Sequence, residues 1–280
     1  TSGYLCIGDE VMSFTRSGAT FDIGTRGLFG TTAQAHDAGD TVQECAHFDS
    51  LAFYEILEIL LETYAGIPAG NLDVAGWTAE SAAYLPRAYS ALVPKPVGVF
   101  QLANELAEEV GFFMWFDERD NKVKVRAVRP ADAEQVIDLN ADANLIDEMT
   151  DIADQTEQQI TRVVVNYRKR KVTRDHQDAT NYRVADVFAA DLVEGPDYHD
   201  GQRIKTIYSR WMTETDGAAA SELGARILSA YMVPPRKVSF GLEAKDRAIW
   251  LGDFVNVSTA RSVSETGLIE PVRAQILSVN

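Results

Sequence analysis

The sequence predicts an α+β protein in which small β-barrel or sandwich domains combine with a unit of two helices and a β-hairpin. Three observations predict it. Short apolar runs broken by Gly-containing turns fill the first forty residues and return after residue 237. Apolar residues recur at three- and four-residue spacing over 51–64 and again over 97–110. Lys122-Val-Lys-Val-Arg-Ala-Val128 alternates basic and apolar residues at period two, the mark of a strand with one wet face.

Residues 4–14 and 21–25 are mostly apolar and flank Arg16-Ser-Gly-Ala-Thr20, which reads as strand, turn and strand. Gly8-Asp9 and Gly39-Asp40 suit turns that need positive φ, and Gly27 and Gly30 let the backbone bend around Leu28-Phe29. Asp49-Ser50 is expected to cap a helix over 51–64, which Gly66 and Pro68 end. Residues 77–92 are mixed, with Trp77, Tyr84, Leu85 and Tyr89 as packing residues before Pro94-Lys-Pro96. The next helix puts Val97, Phe100, Ala103, Leu106, Ala107 and Val110 on one face and Glu105, Glu108 and Glu109 elsewhere, with Gly111 as its stop. A hairpin follows: Phe112-Phe-Met-Trp-Phe116, the turn Asp117-Glu-Arg-Asp-Asn121, and the basic strand.

Residues 129–159 read as an acidic connection with one short strand at 136–139. A β-prone run at 160–167 leads into Arg168-Lys-Arg-Lys171, residues 181–200 are irregular, and 203–208 form a strand. A helix over 218–232 turns Leu223, Ile227, Leu228 and Tyr231 inward and stops at Pro234-Pro235. Strands at 237–242, 249–258 (with Gly252-Asp253 at a turn) and 272–279 then suggest a small barrel or sandwich with that helix across it. The resulting segmentation is a hairpin-rich opening at 1–45, part of a larger barrel; an α+β domain at 46–135; and a barrel-like domain with one helix at 136–280.

The 46% hydrophobic and 24% charged content is that of a folded globular protein. The sequence has no apolar run long enough for a membrane span and no secretory signal, and its start at Thr1-Ser2-Gly3 without Met suggests a processed or truncated chain. Cys6 and Cys45 fit small buried residues better than a disulfide scaffold or a metal site. The net charge of −16 lies in the first half: residues 1–150 hold 9 Lys and Arg against 24 Asp and Glu, and residues 151–280 hold 17 against 18. Such acidity repels nucleic-acid phosphates and argues against duplex gripping or sequence reading.

No catalytic, cofactor or metal site is expected. His36, His47, His176 and His199 are scattered, and there is no Walker loop or Gly-x-Ser-x-Gly elbow. Gly24-Thr-Arg-Gly-Leu-Phe-Gly30 is read as a structural turn and His36 as a turn residue bonding the backbone. The acidic pairs Asp9-Glu10 and Asp117-Glu118 fall at strand ends or turns, where solvated carboxylates are the default. Trp77, Trp115, Trp211 and Trp250 mostly lie in apolar patterns that suggest burial. The one positive patch, Arg168, Lys169, Arg170 and Lys171, is a candidate subunit interface against the acidic half of a neighbouring copy.

The opening order of Ile7-Gly-Asp-Glu10, Thr25-Arg-Gly27, Gly30-Thr-Thr32, His36 and Ala38-Gly39 resembles a segment that recurs in tail proteins of bacteriophages and related injection particles. The helix, aromatic strand, Asp117-Glu-Arg119 and basic strand extend the resemblance. So do Pro234-Pro-Arg236, Phe240-Gly-Leu-Glu-Ala244, Leu251-Gly-Asp-Phe-Val255, Gly267 and Gln275-Ile276. It implies a non-enzymatic hub without cofactors, a homotrimeric ring that joins the tail tube to the distal tip. Two barrel-like domains per chain, three times over, would match the six-fold tube. Its implied partners are the tail tube or distal tail protein and tip or fibre proteins, with DNA passing the acidic lumen unbound and the whole residing in the virion after assembly in the host cytoplasm. The competing classes are a receptor- or glycan-binding tail protein and a wall-degrading tail hydrolase.

Overall fold

The computed structural model describes residues 1–129, 136–189, 202–213, 217–263 and 266–279. In chain order, β1 (Ser2–Ile7), β2 (Glu10–Ser17), β3 (Thr20–Ile23) and β4 (Val42–Glu44) form an antiparallel sheet ordered β3-β2-β1-β4. β5 (Ala46–Ala52) pairs with β6 (Ala88–Val93), and between them lie α1 (Phe53–Glu58), a π-helical turn (Ile59–Tyr64) and α2 (Val74–Tyr84). α3 (Val99–Val110) precedes the hairpin of β7 (Phe112–Asp117) and β8 (Lys122–Ala127). Next come β9 (Val136–Asn140), β10 (Leu145–Asp154), β11 (Arg162–Lys169), β12 (Tyr182–Ala189), β13 (Ile204–Tyr208) and α4 (Ala218–Tyr231). β14 (Arg236–Leu242), β15 (Phe254–Ser258) and β16 (Val272–Gln275) complete the chain. The architecture is α+β, as the sequence predicts, but it is divided among open sheets of two to four strands, none of them a closed barrel among the described residues.

Two units emerge, each assembled from two separate stretches: 1–127 with 160–229, and 128–159 with 230–280. This differs from the predicted segmentation. α4, expected with the C-terminal strands, belongs to the larger unit. Its Ala219, Ala220 and Leu223 pack on Val163, Val165 and Ile207 of the three-stranded sheet ordered β12-β11-β13, in which β13 runs parallel to β11. The 160–229 stretch therefore belongs with the N-terminal elements.

In the larger unit, α1 to α3, β5 to β8 and Trp211 share one core, with Phe53, Ile56, Leu57, Leu60, Trp77 and Leu106 fully buried. Each such side chain contributes about 1.5–3 kcal/mol by leaving water. α1 starts two residues later than predicted because residues 49–52 continue β5 past a register shift between Phe48 and Leu51. The Ala52 amide donates to the Glu55 carboxylate at 2.7 Å in place of an Asp49-Ser50 cap. The sequence pattern misses α2, whose Ala-, Gly- and Ser-rich face buries only Trp77, Glu80 and Ser81. α3 ends at Gly111 (φ 88) as expected, but its buried stripe is Leu102, Ala103, Leu106, Glu109 and Val110, with Phe100 in water. The stripe is rotated, and it carries a carboxyl into the core.

In the smaller unit, β10 pairs with β14, and β15 lies between β16 (antiparallel) and β9 (parallel). The expected single short strand in this acidic stretch is thus two, β9 and β10. Leu139, Leu145, Val255, Val257 and Ile276 form its core cluster, and the Arg129 guanidinium lies over the Phe254 ring at 4.9 Å. Residues 182–189, read as irregular, form β12 at the edge of the larger unit's sheet, while His199 lies outside the described residues.

Two glycines separate conformational strain from close packing. Gly18 has φ 64 with open space around it, whereas Gly30 has φ 78 and a Cβ there would sit 1.7 Å from the Arg170 carbonyl oxygen. Gly18→Ala is expected to cost about 1 kcal/mol and Gly30→Ala about 3 kcal/mol or more, because backbone must also move. Urea denaturation of both variants checks this, and equal losses would mean that the 168–171 backbone yields.

Candidate functional site

The opening motif folds around one carboxylate. Glu10 begins β2 and is 0% exposed. The Arg26 guanidinium donates to it through Nε at 2.9 Å and Nη2 at 2.5 Å, the amides of Gly27 and Gln34 at 3.2 and 3.0 Å, and His36 Nε2 lies 2.8 Å from Oε2. The Arg26 bonds, ahead of the backbone and His36 contacts, hold the Glu10 carboxyl down at about 2 despite its burial. The residues between Arg26 and His36 are thereby gathered against β2. Leu28 donates its amide to Val11 O at 2.8 Å, and Thr31 Oγ1 accepts from Val11 N at 3.0 Å.

Two expectations are corrected here. Glu10 is an engaged, buried carboxylate, whereas Asp9 is exposed, 3.2 Å from Lys95. His36 bonds the carboxylate, not the backbone. Asp117 repeats the pattern: it is 0% exposed, and Arg119 donates through Nε and Nη2 at 2.9 and 2.8 Å while Lys124 Nζ lies 3.0 Å away, which pushes its carboxyl far below the usual range. Turn position predicted solvation because it ignores cations supplied by the turn itself (Arg119), the following strand (Lys124) or a later loop (Arg26).

The gathered loop rests on the basic run. Gly30 lies against the backbone of Arg170 and Lys171, Val172 N donates to Phe29 O at 3.4 Å, and Thr173 Oγ1 donates to Asp9 O at 3.3 Å. Arg168 takes φ 59, so the run bends and does not present one face. Lys169 turns inward, with Nζ donating to the carbonyls of Arg174 at 2.9 Å and Val172 at 3.4 Å, while Arg170 stays exposed and donates from Nε to Tyr182 O at 3.0 Å. The Lys171 amide and carbonyl are held by the buried Asn181 side chain.

Lys169 belongs to a polar cluster that sequence pattern did not reveal. Glu105 and Glu109 of α3 meet His176, Tyr182, Ser209 and Arg210. Arg210 Nε lies 2.6 Å from Glu105 Oε2, Ser209 Oγ donates to Glu109 at 2.5 Å, and Met212 N donates to Ser209 Oγ at 2.9 Å. Tyr182 OH donates to the His176 carbonyl at 2.7 Å and lies 3.0 Å from Nδ1. Burial, only partly offset by the Ser209 bond and reinforced by Glu105, raises the Glu109 carboxyl well above its ordinary value. Burial followed by the Arg210 charge lowers Lys169 to about 8 and His176 to about 4. Each charge either has a partner or is suppressed, as a packed joint between α3 and the β12-β11-β13 sheet requires.

Cys6 and Cys45 are buried and free in one cluster with Val11 and Leu92, and burial pushes the Cys45 thiol up to about 12. Trp77 and Trp211 are buried as expected, but Trp115 and Trp250 are partly exposed. Among the described residues no three His, Cys, Asp or Glu side chains are placed to hold a metal ion, and no helix is long and apolar enough to cross a membrane.

No protein-family model matches the sequence, and no curated protein matches it significantly. Solved structures do. The chain aligns with a protein from the virion of a native gene transfer agent particle at 17% identity and a TM-score of 0.52, over 81% of this chain and 48% of that one. Its fold is shared with a virion protein. The chain spans about half of that protein's length, 48%. A 43 kDa tail protein of prophage MuSo2 from Shewanella oneidensis and the prophage tail protein gp18 from Listeria monocytogenes EGD-e each align at 12% identity and a TM-score of 0.42. They cover 93% and 98% of this chain, and 76% and 81% of their own.

The buried acids set the pH response. Glu10, with a lowered folded value, stabilises fully above about 4.5 and loses its contribution as pH falls towards about 2. Glu109, with a raised folded value, stabilises below its ordinary value of 4.5 and loses its contribution as pH rises through the folded one. Glu109→Gln should therefore gain stability relative to the native chain on going from pH 5 to pH 8. Glu10→Gln should lose about 2 kcal/mol at pH 7 and speed hydrogen exchange at the Gly27 and Gln34 amides. Denaturation at the two pH values and amide exchange read these effects; parallel pH profiles for native and E109Q chains would refute the first.

Proposed function

We propose that this chain is a structural component of a bacteriophage tail or related gene-transfer particle, resident in the virion, and that it serves as the hub ring between the tail tube and the distal tip. The observation that carries the reading is the fold shared with a gene-transfer-agent virion protein over 81% of the chain. The motif order supports it, because the Glu10, Arg26 and His36 residues that carry the resemblance form one physical device. The role is architectural, not enzymatic. The carboxylates of Glu10 and Asp117 are committed to ion pairs and are not poised for acid–base work.

In this reading three copies enclose a channel, bind the tail tube or distal tail protein on one side and tip or fibre proteins on the other, and pass DNA along an acidic wall without gripping it. Arg168, Arg170 and Lys171 meet acidic residues of a neighbouring copy and steer register and association rate, while Lys169 is withdrawn into the cluster. Cryo-EM of the native particle without imposed symmetry tests the assignment. Three copies around a channel at the tail tip are expected. A peripheral or single-copy location would move the function to receptor or glycan binding, or to wall digestion, and glycan arrays and peptidoglycan zymography would separate those two.

A further inference from the structure

The connection from β11 to β12, residues 170–181, is mostly in water, but His176 near its middle turns inward and leaves only 19% of its side chain exposed. Asn181 closes the ends of the connection. The Arg170 amide donates to the Asn181 carbonyl at 2.6 Å, and the Asn181 side chain bonds both the amide and the carbonyl of Lys171. Between those ends, attachment to the rest of the unit is sparse among the described residues. Val172 N to Phe29 O at 3.4 Å and Thr173 Oγ1 to Asp9 O at 3.3 Å are both long for such bonds, and Lys169 Nζ reaches the Arg174 carbonyl at 2.9 Å.

His176 supplies the closest tie. One hydroxyl, that of Tyr182, donates to the His176 carbonyl at 2.7 Å and lies 3.0 Å from the ring Nδ1. Since that hydroxyl has a single hydrogen and gives it to the carbonyl, Nδ1 carries the ring proton and Nε2 is bare. The charged and titratable groups around the His176–Tyr182 pair are Glu105 and Glu109 from α3, Lys169 from β11, Tyr208 and Arg210 from β13 and just after it, and Asp175 on the connection itself. Among the described residues, the carboxylate in ion-pair range of the ring is Glu105, its Oε2 3.9 Å from Nε2. That oxygen is already held by Arg210 Nε at 2.6 Å, and Gln101 Nε2 donates to Oε1 at 3.0 Å. A proton on Nε2 therefore adds a third cation, beside Arg210 and Lys169, around one committed carboxylate in a half-dry setting.

We propose that His176 is an acid-released latch: neutral, it pins residues 172–180 against α3 and the opening loop, and on taking a second proton it lets that flap lift about its Asn181-closed base. Lifting uncovers the Glu105–Arg210 pair and frees Phe29 and Asp9 of their bonds to the flap. Burial, then Arg210 and Lys169, already holds the His176 ring down at about 4, against an ordinary 6.5. A group held lower in the closed form stabilises that form fully above its ordinary value and loses the contribution as pH falls to the closed one, which sets the window at about pH 6.5 to 4. Lys169, lowered to about 8, is protonated in both forms across this window and adds no slope. Glu109 is covered by Ser209, outside the flap, and stays covered when the flap lifts.

Hydrogen exchange of the whole chain at pH 7 and pH 5, corrected for the intrinsic pH dependence of exchange, tests the latch. Opening at the 172–180 amides should rise about 20-fold from pH 7 to pH 5 in the native chain, as a ring at 6.5 when open and about 4 when closed requires. Protection at the Gly27 and Gln34 amides, which Glu10 holds, should change little and reports that the unit stays folded. His176→Gln, which takes no proton, should open equally at both pH values. Tyr182→Phe should open more than the native chain at pH 7, because both ring and carbonyl lose their tie. A native flap whose opening does not change with pH, or an unchanged slope in H176Q, would overturn the proposal. Tighter closure in acid would overturn it too, since it would mean that protonated His176 wins Glu105 from Arg210.

Discussion

The larger unit depends on a carboxylate that has no water. Glu10 gives up its hydration as the first residue of β2, and that cost is offset only if several donors reach it together. Arg26, two loop amides and His36 supply them from a stretch with little regular structure. The loop therefore has a defined conformation without a helix or a ladder of strand bonds. Since Val172 bonds that loop and Thr173 bonds the carbonyl of Asp9 beside Glu10, the geometry of the basic run is tied to the same carboxylate.

The second polar centre works in the opposite sense. Around Glu109 the protein does not gather cations to hold the acid down; burial raises its carboxyl, and Ser209 is its hydrogen-bond partner. Glu105, a turn earlier on α3, and Arg210, the residue after Ser209, form an ion pair at 2.6 Å. Arg226 adds a bond to the Glu109 carbonyl at 2.9 Å and lies over Gly111, so the end of α3 is satisfied from α4. Helix and sheet are thus joined by polar contacts that fix orientation more narrowly than apolar packing alone would.

Period and punctuation made much of the fold legible. The β7–β8 hairpin, the ends of α3 and the turns at Gly8 and Gly39 follow from local pattern, because the forces that set them act within a few residues. The partition of the chain does not. Whether α4 covers β11 or the C-terminal strands is decided by packing between residues such as Leu223 and Val163, sixty positions apart, which leaves no local trace. The buried acids were hidden for the same reason: Glu109 looked like one of three solvent-facing glutamates, and only the arrival of Ser209 distinguishes it. Phe100 misled in the converse way, since an apolar residue in the first turn need not join the stripe.

Interleaving of the two units carries a mechanical consequence. The backbone passes from one to the other near residues 127, 159 and 229, so neither is a bead on a string. A pull or twist transmitted between them is shared by three covalent strands, and a single cut leaves two still holding. The smaller unit also cannot finish until the stretch that closes the larger one has been made, which places the completion of both late in synthesis. This threading alone tethers the two units to each other.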